Sequence, residues 1–150
     1  MVRRSTENLE AYDLYLKGRH VWNQWRVDAT RRSAELFERA LAEDTHYAAA
    51  WAGLANSYAL LGLSAAPREI WEKAEQAALK ALELDANLAE AHTALGTVLS
   101  YYKWDWLGAE RALRHSVELN PASAVARCLY CRHLGVVGSL DESFAIRSKA

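Results

Sequence analysis

The chain has 150 residues, of which 51% are hydrophobic and 25% charged, with only two prolines. This composition excludes disordered, collagen-like and low-complexity chains and suffices for a hydrophobic core. The 18 Lys and Arg nearly balance the 19 Asp and Glu, so no net positive field favours binding to nucleic acid or to an anionic membrane.

No export signal or membrane span is predicted. Residues 1–13 scatter their charges instead of placing an apolar run after a basic stretch. Residues 45–67 lack Asp, Glu, Lys and Arg, but their apolar content is mostly alanine and Gly62 and Pro67 interrupt the segment, which favours a buried helix. The two cysteines, Cys128 and Cys131, form no disulfide framework and fit a reducing compartment. We therefore expect a cytoplasmic protein.

Every predicted secondary-structure element is a helix. Apolar residues recur at steps of three and four, and runs of β-branched residues are absent. Turn residues separate the helices, among them Asp28 with Thr30 and the stretch 62–67. Pro67 and Pro121 suit first helical turns. The predicted helices span residues 8–24, 30–43, 47–61, 67–84, 88–102, 105–119 and 122–136, with an eighth beginning at a capping box of Ser139 and Glu142.

The sequence repeats itself. Residues 40–55, 81–96 and 116–131 share one pattern of columns, with offsets of 41 and 35 residues. Aligned positions include Leu41/Leu82/Val117, Asp44/Asp85/Asn120, Ala48/Ala89/Ala124 and Leu54/Leu95/Tyr130. Steps of this size are typical of solenoids built from helical hairpins.

These columns resemble the tetratricopeptide repeat (TPR), a helix–turn–helix unit of 34 residues. The second unit carries Trp51, Leu54 and Tyr58 in the first-helix columns, and the third carries Leu95 with Gly96. The resemblance implies an all-α, right-handed α–α superhelix of about three and a half hairpins. We expect a single domain over residues 1–150, with repeats of about 8–44, 45–85, 86–120 and 121–150.

Packing explains the small residues of the repeat. Gly18, Ala55, Gly96 and Cys131 are expected to let the two helices of a hairpin approach. Solenoids need polar capping helices, and none is predicted before residue 150. We therefore expect either a piece of a longer protein or a homodimer formed through exposed apolar residues such as Phe144 and Ile146.

The resemblance also implies a concave groove, lined by the first helix of each repeat, in which a protein or peptide partner binds. The residues carried over to this groove are Tyr15, Arg19, Trp22, Asn23, Ala52, Asn56, Leu60, Glu90, Thr93, Thr97, Tyr101, Cys128 and Arg132. Some family members hold a peptide's terminal carboxylate in a basic clamp. Here the matching positions are Tyr15, Arg19, Gly53, Glu90 and Ala94, and only Arg19 could contribute. Binding of chaperone tails is therefore not expected.

The cysteines, histidines and most tryptophans are expected to have structural roles. Cys128 and Cys131 form a C-x-x-C without a second pair, and His92 takes a tryptophan column, so we expect no metal. No cofactor motif and no catalytic signature is present, and an enzyme is not expected. The six tryptophans should be mostly core residues, with Trp22 the best candidate for partner contact.

Alternative functions stay open at this point. The opening residues 11–24 and the longer turns are similar to TPR arrays of bacterial signalling proteins with winged-helix regulator, nucleotide-cyclase or protein-kinase domains. A regulatory or sensor segment of such a protein is therefore one alternative to a scaffold. A self-associating solenoid without a separate ligand, its groove merely solvated, is another. A third is a small-molecule or metal-binding helical domain, for which Cys128, Cys131 and His133 are the local candidates.

Overall fold

A computed structural model describes residues 6–24, 26–64 and 67–136. Within these ranges the chain forms seven α-helices and no strands, which confirms the all-α prediction. The helices are α1 (Leu9–Trp22), α2 (Val27–Glu43), α3 (Ala48–Leu63), α4 (Arg68–Leu84), α5 (Ala89–Tyr101), α6 (Trp106–Leu119) and α7 (Ala124–Val136). The predicted eighth helix, Phe144 and Ile146 lie outside the described residues.

The predicted turn at Asp28 and Thr30 is wrong because both residues belong to α2, and the predicted turn over residues 62–67 starts two residues later than expected. Asp28 lies in the first turn of α2, where its negative charge suits the helix N-terminus, and Thr30 Oγ1 donates to the Arg26 carbonyl at 2.8 Å. Gly62 lies inside α3, because glycine there lets Trp71 of α4 pack against the helix.

Helix α7 begins later than predicted. It starts at Ala124, and Pro121 lies in the preceding turn instead of the first helical turn. The Ser123 hydroxyl accepts the N–H of Ala126 at 3.2 Å. This side chain satisfies an amide that has no partner within the helix, so it fixes the start.

The helices pack in two layers. Helices α1, α3, α5 and α7 contact each other in sequence and form an inner layer. Helices α2, α4 and α6 each pack against the two inner helices on either side, and within the described residues they do not contact one another. This is an α–α superhelix in which consecutive hairpins stack.

Close approach between the layers depends on glycines that face large side chains. Phe37 of α2 is 1% exposed, and its ring lies against both Gly18 of α1 and Gly53 of α3. A Cβ at either glycine would lie 2.7 Å from a ring carbon of Phe37. The same arrangement joins Gly96 of α5 to Leu113 of α6. The expected packing role is confirmed for Gly18 and Gly96.

The turns between repeats share one hydrogen-bonding pattern. The Oδ1 atoms of Asp44 and Asp85 each accept the N–H two residues onward, both at 3.0 Å. The side chain that follows reaches back to this turn: Trp51 Nε1 donates to the Thr45 carbonyl at 2.9 Å, and His92 Nε2 makes the equivalent bond to Ala86 at 2.9 Å. His92 therefore replaces a tryptophan structurally.

The tryptophans were expected to be mostly core residues, but of those that the structure describes Trp71 is buried, Trp104 is exposed and the others are half-buried. Trp71 is 8% exposed, but Trp104 is 66% exposed. Trp104 follows the end of α5 with a φ of 57°, a left-handed conformation uncommon for large residues. The Asp105 side chain then accepts the Gly108 N–H at 3.0 Å and starts α6. The tight turn thus directs Trp104 outward, where it meets the ring of Trp106 edge-on.

None of the helices within the described ranges combines the length and the apolar character that a membrane crossing requires. The alanine-rich α3 instead packs against α1, α2, α4 and α5.

The Phe37 contact predicts a large stability loss on truncation. Phe37→Ala should lower the free energy of unfolding by about 3–5 kcal/mol, because a buried ring leaves a cavity between two glycines. Leu79→Ala, at a leucine that is 49% exposed, is the control and should cost less than about 1 kcal/mol. Urea denaturation followed by circular dichroism measures both. Equal losses for the two variants would contradict the packing described.

Candidate functional site

A cavity of about 320 Å³ opens at the inner layer, bounded by α1, α3, α5 and the turn between α6 and α7. Phe37 and Gly53 reach it from the interface between α2 and α3. Its lining combines apolar and polar residues. The lining consists of Arg19, Trp22, Phe37, Gly53, Asn56, Glu90, Thr93, Asn120, Ala122, Ser123, Ala124 and Val125.

An ion pair spans the cavity from α1 to α5. Arg19 Nη2 lies 3.7 Å from Glu90 Oε1, with the two side chains 41% and 46% exposed. Arg19 is in the last turn of α1, and Glu90 is in the first turn of α5. Each charge therefore suits the helix end that carries it. The pair contributes little to stability because water reaches it.

Tyr15 lies beneath this pair and not on the groove surface as predicted. It is 4% exposed and packs against Phe37 and Tyr47, with ring centroids 5.8 and 5.0 Å away. The Arg19 guanidinium lies 5.9 Å from its ring centroid. Burial, together with the negative charge of Glu90, raises the pKa of Tyr15 to about 12, although Arg19 acts in the opposite direction.

Hydrogen bonds fix the polar floor of the cavity. Asn56 Nδ2 donates to the carbonyl of Ala52 at 3.1 Å and to the carbonyl of Glu90 at 2.9 Å, which joins α3 to α5. Thr93 Oγ1 donates to the Ala89 carbonyl at 3.1 Å and also contacts the hydroxyl of Ser116. These side chains are held in place before any ligand arrives.

The structure brings some of the predicted groove residues together and separates the others. Five line the cavity: Arg19, Trp22, Asn56, Glu90 and Thr93. Ala52 and Thr97 are buried between helices, so they offer no contact surface and the prediction is wrong for them. Their small side chains permit helix packing instead.

The remaining predicted residues lie elsewhere on the inner layer. Asn23 is exposed at the end of α1, and Leu60 borders a separate depression near the start of α2. Arg132 of α7 covers the ring of Tyr101 at 5.7 Å, and Cys128 is exposed on the same helix. These positions extend the inner surface beyond the cavity.

Sequence reasoning missed the turn that closes the cavity. The wall consists of Asn120, Ala122 and Ser123 of this turn with Ala124 and Val125 at the start of α7, yet in the sequence Asn120 was only an aligned position of the repeat. Phe37 was also missed, because its position in the repeat predicts a packing residue and does not indicate that its ring lines the cavity. The Phe37 ring reaches the cavity because Gly18 and Gly53 leave space for it between the inner helices.

The part of the chain that the structure describes holds no group of three or more His, Cys, Asp or Glu side chains arranged to bind a metal ion. Cys128 and Cys131 are free thiols. The cavity's polar groups are an ion pair, amides and hydroxyls, which recognise ligands through hydrogen bonds and charge.

No family model matches the chain. Over 142 residues it is 25% identical to the transcriptional regulator HilA of Salmonella typhimurium, and the same figures hold for HilA of Salmonella typhi. Each match covers 91% of this chain and 25% of the regulator. The chain thus spans about a quarter of the length of the curated relatives it matches.

Solved TPR domains share the fold. The first TPR of Spaghetti (RPAP3) bound to HSP90 peptide SRMEEVD superposes with a TM-score of 0.65 at 16% identity, covering 89% of this chain and 97% of that one. The Sgt2 TPR domain from Aspergillus fumigatus gives 0.68 at 19% identity, covering 94% and 88%. YrrB, a TPR protein with an unusual peptide-binding site, gives 0.59 at 26% identity, covering 90% and 64%. The predicted TPR-like fold is confirmed.

The pKa of Tyr15 predicts a loss of stability in alkali. Unfolded Tyr15 loses its proton near pH 10, whereas folded Tyr15 keeps it to about 12. The folded state therefore binds more protons in this window, and the free energy of unfolding should fall as pH rises, by up to about 1.4 kcal/mol per pH unit. Urea denaturation at about pH 9 and about pH 11 measures the loss. It should be smaller in Tyr15→Phe, and equal losses in both proteins would refute the assignment.

Proposed function

We propose that this helical repeat domain, which has the TPR fold, binds a short peptide segment in the cavity of its inner layer and acts as a protein-interaction scaffold. The cavity itself carries the proposal. It is bounded by several inner helices and one inter-repeat turn, so a segment lying in it would contact residues distant in sequence. Such concave sites with few fixed polar groups are typical of ligand binding.

The polar floor suits a peptide backbone. Asn56 uses its Nδ2 group for two bonds within the domain, so its Oδ1 is the atom it offers to a ligand N–H. Because these internal bonds already orient the amide, binding loses little side-chain entropy. The half-buried Trp22 and Val125 border the same cavity and supply apolar surface for a ligand side chain.

The comparisons support a peptide ligand in general terms. One structurally similar domain, the first TPR of RPAP3, is bound to a peptide of HSP90, and YrrB is described as having an unusual peptide-binding site. We carry over from them the kind of ligand and not its sequence. The proposed mechanism is noncovalent recognition without catalysis, because the lining offers hydrogen bonds and apolar contact.

A second candidate function comes from the match to HilA. The chain aligns with about a quarter of that transcriptional regulator, so we consider a regulatory segment of a larger signalling protein. Its ligand would then control an attached output domain. The coding sequence on either side of this segment distinguishes the candidates: an adjacent DNA-binding domain supports the regulatory one, and its absence argues against it.

Obstructing the cavity should weaken binding. Ala122 is an exposed residue of the lining, so Ala122→Arg adds a long side chain at the opening without removing a core contact. Peptides are first selected from a displayed random library on the wild-type domain. Their affinity for Ala122→Arg should then fall at least about tenfold, because the arginine occupies the space of the ligand.

Ala42→Arg is the matched control, because Ala42 is an exposed alanine of α2 away from the cavity. It introduces the same charge and should leave binding unchanged. Calorimetric titration measures the affinities, and circular dichroism verifies that both variants remain folded. Selected peptides that bind Ala122→Arg as tightly as Ala42→Arg would contradict the proposed site, and so would a library that yields none.

A further inference from the structure

The charges in the cavity are already paired. Among the described lining residues, Arg19 is the one cation and Glu90 the one anion, and they lie 3.7 Å apart. A charged group of a ligand that is attracted by one of these two side chains is repelled by the other. The cavity therefore offers no uncompensated charge to a ligand.

We propose that Glu90 determines the ligand class of this groove, excluding acidic chain ends and favouring an uncharged peptide segment with an apolar side chain. This inference rests on the proposed function of the cavity as a peptide site. The Glu90 carboxylate pairs with Arg19 and so takes the place that a ligand carboxylate would otherwise have. It acts as a specificity-determining residue by repelling such a carboxylate.

The start of α5 places Glu90 at the cavity. It lies in the first turn of α5, where the helix dipole stabilises a negative charge. Its carbonyl accepts the Asn56 amide at 2.9 Å, which fixes the backbone next to the cavity. The carboxylate therefore lies beside Arg19, and a ligand must displace it or accommodate it.

The rest of the lining favours uncharged chemistry. Asn56, Thr93, Asn120 and Ser123 offer amides and hydroxyls, and the other walls are apolar, including Trp22 and Val125. Such groups pair with backbone amides and apolar side chains without needing a counter-ion. A peptide such as SRMEEVD, bound by the first TPR of RPAP3, would instead bring several carboxylates to the single shared Arg19.

Removing the charge of Glu90 should create affinity for acidic peptides. The probe is fluorescently labelled SRMEEVD, titrated with wild type, Glu90→Gln and Glu90→Lys and followed by anisotropy. We expect affinity to rise in that order by about tenfold per unit of charge, because repulsion is first removed and then reversed. The gain should shrink in high salt. It should also disappear in the double variant Arg19→Gln/Glu90→Gln.

Glu83→Gln and Glu83→Lys are the matched controls. Glu83 lies on α4 with a side chain 70% exposed, so these variants change the net charge equally but outside the cavity. Neither should gain affinity for the acidic probe. A wild-type domain that binds SRMEEVD as tightly as Glu90→Lys would overturn the inference, as would an equal gain in the Glu83 variants or no gain in the Glu90 variants.

Library selection separates this inference from the function on which it rests. Peptides selected on wild type should be close to neutral, whereas those selected on Glu90→Lys should be acidic. Acidic peptides selected on wild type and blocked by Ala122→Arg would overturn the role of Glu90 but preserve the groove. If no peptides bind wild type at the cavity, the proposed function fails, and the assignment of Glu90 fails with it.

Discussion

The architecture depends on large side chains of the outer helices that lie against glycines of the inner helices. Phe37 contacts Gly18 and Gly53, and Leu113 contacts Gly96 in the same manner. Any other residue at these glycines would place a Cβ within 2.7 Å of the facing side chain. Because protein interiors are close-packed, these contacts set the distance between the layers and hence the position of each hairpin relative to the next.

The same contacts build the cavity. Phe37 and Gly53 are at once interlayer packing residues and part of the lining, so the opening is a consequence of how α1, α3 and α5 stack. Polar links then tie these helices together across it: Asn56 bonds the backbone of α5, and Arg19 reaches Glu90. A site assembled from rigid helices in this way is positioned before a ligand binds, which reduces the entropic cost of association.

Much of this fold was predictable because aligned repeats identify equivalent packing and turn positions. The columns of Asp44 and Asp85 correctly indicate the turns, and the match between Trp51 and His92 extends to equivalent hydrogen bonds. Helix ends were harder to predict. Gly62 suggests a turn by its conformational freedom, but it is needed inside α3 for the close approach of Trp71.

The site was less predictable than the fold. Arg19, Trp22 and Glu90 could be assigned to one surface by their positions within the repeat. Whether a residue on that face is exposed depends, however, on the spacing between neighbouring helices. Tyr15 and Ala52 share the predicted face yet are buried, and the wall around Ser123 comes from the turn between α6 and α7. Sequence periodicity determines the face of a helix but not the distance to its neighbours.

The most direct test of the central claim is an NMR titration of the tryptophan indole N–H resonances with a peptide selected on the wild-type domain. Trp22 lines the cavity, Trp71 is buried beneath α3, and Trp104 is exposed at the turn before α6. A ligand in the cavity should shift the Trp22 resonance and leave those of Trp71 and Trp104 unchanged. A shift at Trp104 with none at Trp22 would contradict the account and locate binding at the opposite side of the third hairpin.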